Sequence, residues 1–361
     1  MDHQPEEWEK PLWQRKMEAK GREIGDRPLP VELDTLYQFI AMLHVHPDDK
    51  DAVARAAYDL GNYWREKMFP DWDDHYRNMN DQGVAYLCGA ICDHAFDVVP
   101  DLKWDSVQNV RCSDLIIQLK NDAADPSNGD ERNPQLPWDA RNLNVHAGEQ
   151  WRKLNPAYNA ELEKCTEAIN MHAFLARLLE GRMFPRGRPL IEGRHDAYFL
   201  SLKVVREGFL AKPNSWDLPR VSGCRAVIAA HYITLAPDQI RWAVYNYPLE
   251  REEDRDMAPP RVRSRMLAEL GERRSRNVLE RIRWEWGFWL GEIDRHAAEW
   301  NKFGESEEMP HLAYGLRAWQ LKKSCMEARH TLLRWIEIVD VELLGAERAA
   351  RRLVLVGGRQ V

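Results

Sequence analysis

Apolar residues in this chain recur at spacings of three and four, the signature of helices that bury one face. Leu33, Leu36, Ile40 and Leu43 begin the pattern, and His46-Pro47-Asp48 interrupts it. The next helix is predicted over 48–68, with Asp48 as N-cap and Val53, Ala56, Ala57, Leu60 and Trp64 along one side. Helices over 80–98 and 105–121 follow, separated by Pro100. Leu162, Cys165, Ile169, Ala173, Ala176 and Leu179 then mark an amphipathic face that Gly181 should terminate. Further helices are expected over 195–210, 220–236 and 237–247, although 225–235 holds enough β-branched residues to read as a strand.

The clearest rhythm is Val278, Ile282, Trp286, Trp289, Ile293, Ala297 and Trp300, which keeps an apolar stripe straight for about six helical turns. Leu321, Cys325, Ala328, Leu332, Trp335 and Val339 repeat it. Two such stripes joined around 304–310 should pack as an antiparallel pair. Only 353–356 shows a short apolar run of strand type, too isolated to build a sheet. The fold class is therefore all-α, an irregular multi-helix bundle.

The stretch 122–145 concentrates Pro, Gly, Asn and Asp and lacks apolar periodicity, so it reads as an exposed loop. The organisation expected is a charged arm over 1–30, an N-terminal helical subdomain over 31–121, that loop, a main helical domain over 146–350 and a tail over 351–361. Trp8 and Trp13 would clip the arm onto the body. Fifteen tryptophans among 361 residues change the picture of the core. Each buries roughly 200 Å², so tryptophan should dominate the packing energy or else line a pocket for a flat ligand.

A net charge of −7 argues against a dedicated nucleic-acid or anionic-membrane binder. The six cysteines, Cys88, Cys92, Cys112, Cys165, Cys224 and Cys325, have no framework spacing and suggest reduced thiols in a cytoplasmic or nuclear protein. No secretory leader, lipidation box or apolar run long enough to span a membrane is read from the sequence.

The segments AINMHAFLARLL (168–179) and YFLSLKVVREGF (198–209) resemble the central helices of an uncharacterised fungal family of mostly helical, Trp-rich proteins, a domain of unknown function. The small-residue helix over 226–236, LERIRWEWGFWLGEI (279–293) and the helix over 321–338 extend the similarity. The resemblance covers roughly 160–245 and 275–340, while 1–150 and the basic insert 182–194 stand outside it. It implies a fungal source, a helical fold and a cytosolic or nuclear address, and supplies no catalytic residues.

Beside the apolar stripe of 278–300, Glu285, Glu292, His296 and Glu299 fall within about a 60° arc at 100° per residue. Carboxylate and imidazole against Trp289 and Trp300 suit general acid–base work or a divalent metal. Arg281 and Arg295, each four residues before a Glu, make the same stripe an ordinary solvated face with intrahelical ion pairs. The candidates are thus His296, Glu292 and Glu299 for catalysis, and Trp286, Trp289, Trp300 and Arg281 for a ligand.

Cys88, Cys92 and His94 lack the second ligand cluster that structural zinc needs, and His44 and His46 suit a helix C-terminus, so no metal or other cofactor is expected. From Arg261 to Arg283, eight Arg face three Glu, a pattern for an anionic ligand or RNA, or for a face neutralised by the acidic run over 250–256. No phosphate loop, dinucleotide fingerprint, HExxH, GxSxG or kinase signature is present. Two functional expectations follow. One is a non-enzymatic module binding a protein partner or a small hydrophobic or aromatic ligand. The other is a motif-free enzyme of cyclase or isomerase type acting on an aromatic or polycyclic metabolite, with nucleic-acid binding by 261–283 a weaker third.

Overall fold

The computed structural model describes residues 10–25, 30–63, 82–124, 143, 147–148, 151, 162–184, 186, 196–210, 219–247, 278–301 and 318–357, some of them at helix ends by backbone alone. Among them are eleven α-helices, one 3-10 turn and no strand, so the molecule is all-α. The helices are α1 (Leu12–Gly25), α2 (Pro30–His44), α3 (Ala52–Tyr63), α4 (Gln82–Val98), α5 (Val107–Ala124), α6 (Leu162–Glu180), α7 (Ala197–Leu210), α8 (Pro219–Leu235), α9 (Pro237–Asn246), α10 (Val278–Trp300) and α11 (Ala318–Gly357). None of the helices searched is long and apolar enough to cross a membrane.

Two compact units divide the chain. The first joins Met1–Asn155 to Glu167–Ala197, and the second joins Pro156–Thr166 to Tyr198–Val361. The partition runs through the stretch expected to form one main domain, whereas the loop proposed at 122–145 lies mostly outside the described residues.

In the first unit, α2 packs on α1, α3, α4 and α5. Within the stretch expected as an arm, Leu12–Gly25 form helix α1, with Trp13, Met17 and Ile24 buried on one face. Between α2 and α3 the capping roles differ from expectation. The backbone N–H of Asp51 is taken by Asp49, not Asp48. Carbonyls in the last turn of α2 and the loop after it are met by Arg111, whose guanidinium donates to those of Met42, Val45, His46 and Asp49 at 2.6–3.3 Å. A fixed cation at a helix C-terminus satisfies the carbonyls and the dipole together, so neither histidine is needed for that task.

The turn at Pro100 is held by a buried polar clamp. Asn170 accepts from the Trp104 N–H at 2.9 Å and donates to the Pro100 carbonyl at 2.8 Å. Asn109 donates to the carbonyls of Leu102 and Asn170, and Arg177 donates to Asn109 Oδ1 and the Trp104 carbonyl. Burial lowers the Arg177 pKa, with Asp114 opposing that shift.

Helix α6 ends at Glu180, where Gly181 was expected to stop it. Arg182, not Gly181, has the left-handed φ of 55°, and the Met183 N–H closes on the Leu178 carbonyl. Gly181 is there for space, since a Cβ would stand 2.6 Å from Ile117 Cδ1.

The second unit is organised by α11, which packs on α10 and α8, with α9 against both of those helices. The 225–235 stretch is helical, and 353–356 lies inside α11. Ion pairs Arg283–Asp340 and Arg329–Asp294 run in opposite sequence directions, so α10 and α11 are antiparallel. The buried residues of both helices follow the anticipated stripes: Ile282, Trp286, Trp289 and Ile293 meet Cys325, Ala328, Leu332, Trp335 and Val339.

Helix α7 crosses α8 at Gly208, where a Cβ would stand 2.6 Å from both Ala229 Cβ and the Arg225 carbonyl oxygen. Gly208→Ala should therefore destabilise the unit by about 1–3 kcal/mol through overpacking, despite alanine's helix preference. At Gly287 and Gly291 a Cβ meets nothing within 4 Å. Alanine at either should stabilise by up to about 1 kcal/mol. Thermal unfolding of the three variants checks the opposite signs.

Candidate functional site

Helix α10 places its polar candidates one step to the side of the tryptophan stripe. The solvated-face reading fails for two of them, because Glu285 and His296 are buried, at 5% and 3% exposure. Glu285 does not pair with Arg281. Its carboxylate takes Arg206 Nε of α7 at 2.7 Å, and the same guanidinium donates to the Tyr247 carbonyl at 2.8 Å. A carboxylate beside an apolar stripe can be drawn inward when a packed helix supplies a geometrically matched cation. Arg281 itself is half-buried.

Three turns further on, Arg295 serves two candidates. Its Nε donates to half-buried Glu292 at 2.9 Å, and a terminal nitrogen lies 3.0 Å from His296 Nε2. Because a guanidinium can only donate, Nε2 is the acceptor and Nδ1 carries the proton. Burial, then Arg295, pushes the His296 pKa down to about 4. The ring is neutral at pH 7 with its basic lone pair engaged.

Eleven residues separate Glu285 from His296, roughly 16 Å along the helix. The polar stripe is therefore two local arrangements: Glu285 with Arg206, and Glu292 and His296 around Arg295. The side chains of Glu299 and Trp300 lie outside the described residues.

The tryptophans face inward. Trp286 is fully buried, with ring centroids 5.1 Å from Trp335 and 6.3 Å from Tyr245, and Trp289 is fully buried 6.3 Å from Phe209. Neither indole N–H has an acceptor. A second polar contact, His231 Nε2 to Ser324 Oγ at 3.3 Å, joins α8 to α11.

Arg206, His231 and Ser324 went unremarked in the sequence. The available signal was modest: Arg206 is a lone cation between Val205 and Phe209 in an otherwise apolar face.

In the first unit, Cys92 is buried and the side chain of Cys88 lies outside the described residues. His94 is buried beside Phe39, with no hydrogen-bond partner at either ring nitrogen, and burial followed by Lys20 lowers its pKa to about 3. His44 lies against Trp13 at 5.1 Å, whereas His46 is exposed beside Asp48. Among the described residues no three His, Cys, Asp or Glu side chains converge as a metal group would require. Of the 261–283 stretch, 261–277 lies outside the described residues and Arg283 is paired with Asp340.

The two buried histidines make stability depend on pH. Both folded pKa values lie below the ordinary 6.5, so the unfolded chain binds more protons as pH falls. Their contribution is complete above pH 6.5. It is lost downward, toward pH 4 for His296 and pH 3 for His94, at a limiting slope of about 1.4 kcal/mol per pH unit each. Urea unfolding from pH 7 to 4 should show His94→Phe losing less stability than the parent over that range.

Comparison with protein-family models, with curated proteins and with solved structures finds no significant match.

Proposed function

We propose that this protein is a non-enzymatic helical module that binds a partner through an exposed face of α11. The observation that carries this reading is a row of large apolar residues on one helix surface: Ile338, Val341 and Leu344, 41%, 70% and 53% exposed. Apolar side chains clustered on a surface mark interaction sites more often than singly scattered ones do. The engagement of Glu285, Glu292 and His296 by arginines supports the non-enzymatic side of the proposal. A reducing compartment, cytoplasm or nucleus, suits the five unbridged buried thiols at Cys92, Cys112, Cys165, Cys224 and Cys325. Membership of the fungal helical family is proposed on the sequence segments alone.

A motif-free enzyme acting on an aromatic metabolite is the second reading. It draws on the two buried indole donors, Trp286 and Trp289, which an acceptor-bearing ligand would satisfy.

A photo-crosslinking residue at Val341, with one at exposed Tyr58 as control, tests the proposal in host extract. A discrete adduct at position 341 and none at 58 is expected. Turnover of one compound by the parent protein, lost in His296→Ala, would instead establish the enzyme.

A further inference from the structure

Cys165 lies in the first turn of α6 and Cys224 in the second turn of α8. Both are buried, at 0% and 1% exposure, and both belong to the second unit. The Cys224 thiol donates to the Cys165 carbonyl at 3.4 Å and is hydrogen-bonded to the Cys165 thiol as well. The two sulfurs are therefore neighbours, although the residues stand 59 positions apart. Other buried thiols keep different company. Burial, Arg177 and Asp114 act on Cys112, and burial alone acts on Cys325.

Packing fixes one side of this meeting. At Gly208, α7 passes so close to α8 that a Cβ would stand 2.6 Å from the carbonyl oxygen of Arg225, the residue after Cys224. The backbone that carries Cys224 is held by a neighbouring helix, and Cys165 is carried by a helical turn of its own. A disulfide needs Cβ atoms roughly 3.5–4.5 Å apart. From hydrogen-bond contact, two thiols approach that arrangement by turning about their Cα–Cβ bonds, with no new helix arrangement.

We propose that Cys165 and Cys224 form a latent dithiol that a hydroperoxide converts to a disulfide, fastening the first turn of α6 to α8. One sulfur attacks the peroxide O–O bond, giving a sulfenic acid and releasing water or an alcohol. The second sulfur then displaces water from the sulfenic acid and the S–S bond forms. The two thiols lose two electrons and two protons in all, and the peroxide oxygens take them up. A thiol reductant reverses the change.

The Cys165 thiol and then burial push the Cys224 thiol well above its ordinary pKa, so it stays protonated at pH 7. Only the thiolate reacts, so the pair answers sustained oxidant and not a brief pulse. Once one sulfur is oxidised, its held neighbour outcompetes further oxidation to sulfinic acid. The bridge closes a long loop within the second unit and restricts its unfolded chain.

The purified, folded full chain is incubated with hydrogen peroxide, alkylated in denaturant and weighed intact. A species lighter by two hydrogens should accumulate over minutes to hours, and digestion should map its bridge to Cys165 and Cys224. Its thermal midpoint should lie roughly 5–10 °C above that of the reduced chain and return on treatment with dithiothreitol. Cys165→Ala and Cys224→Ala should each remove both the bridged species and the shift, with circular dichroism showing that each variant folds. Bridging of any other cysteine pair, oxygen addition at Cys165 or Cys224 without a bridge, or a bridge formed only after unfolding would each overturn the proposal. So would a chain whose sulfurs at 165 and 224 stay reduced while its other cysteines oxidise.

Discussion

Arg206→Leu should lower the stability of the second unit by about 3–5 kcal/mol, because it strands the Glu285 carboxylate in the core. Both side chains are less than one-tenth exposed, and the guanidinium also holds the Tyr247 carbonyl. Glu285→Leu strands the opposite charge and should cost a similar amount. The double variant is the informative one. With neither charge buried, most of the loss should return, short of the hydrogen bond that Arg206 gave the Tyr247 carbonyl, about 1–3 kcal/mol. The cycle is read from urea unfolding of the four proteins at constant slope. Single changes worth less than about 1 kcal/mol would show that water reaches the pair.

Trp286→Ala should cost about 3–5 kcal/mol. The ring is fully buried between Tyr245 and Trp335, where α9, α10 and α11 meet. Trp286→Phe should be far milder than its lost volume suggests. The indole N–H has no acceptor, so phenylalanine removes an unsatisfied donor along with part of a ring. A cost near 1 kcal/mol is expected, measured as the shift in denaturation midpoint. If Trp286→Phe proved as damaging as Trp286→Ala, the N–H would have a partner in solution, such as a bound water or ligand.

Most of the helical architecture was legible because burial follows a period that residue spacing exposes. Ile282, Trp286, Trp289 and Ile293 form one continuous buried face, and Cys325 to Val339 form its counterpart. What the spacing could not contain was which helix each face would meet. Glu285 reads as one end of a pair with Arg281, four positions away, yet its partner is Arg206, 79 positions away. His296 reads either as an acid–base group against an aromatic wall or as part of a solvated face, but burial and Arg295 make it a neutral acceptor.

Gly181 matches a helix stop, and only the position of Ile117 shows why a side chain is excluded. The exposed row on α11 was hidden for the same reason. Ile338, Val341 and Leu344 look like any helix positions until neighbouring helices cover other faces and leave these outside.

The interleaving of the two units bears on how the chain is made. Trp104 receives its hydrogen-bonding partner from Asn170, 66 residues later, and Arg177 follows at 73. During synthesis the first unit cannot close its own turn until the ribosome has passed Pro156–Thr166, which belongs to the other unit. At roughly 5–20 residues per second, that is a wait of several seconds with the turn unclamped. A nascent chain stalled near Asn155 should be readily cut by protease around 99–106, and one stalled beyond Ala197 should resist.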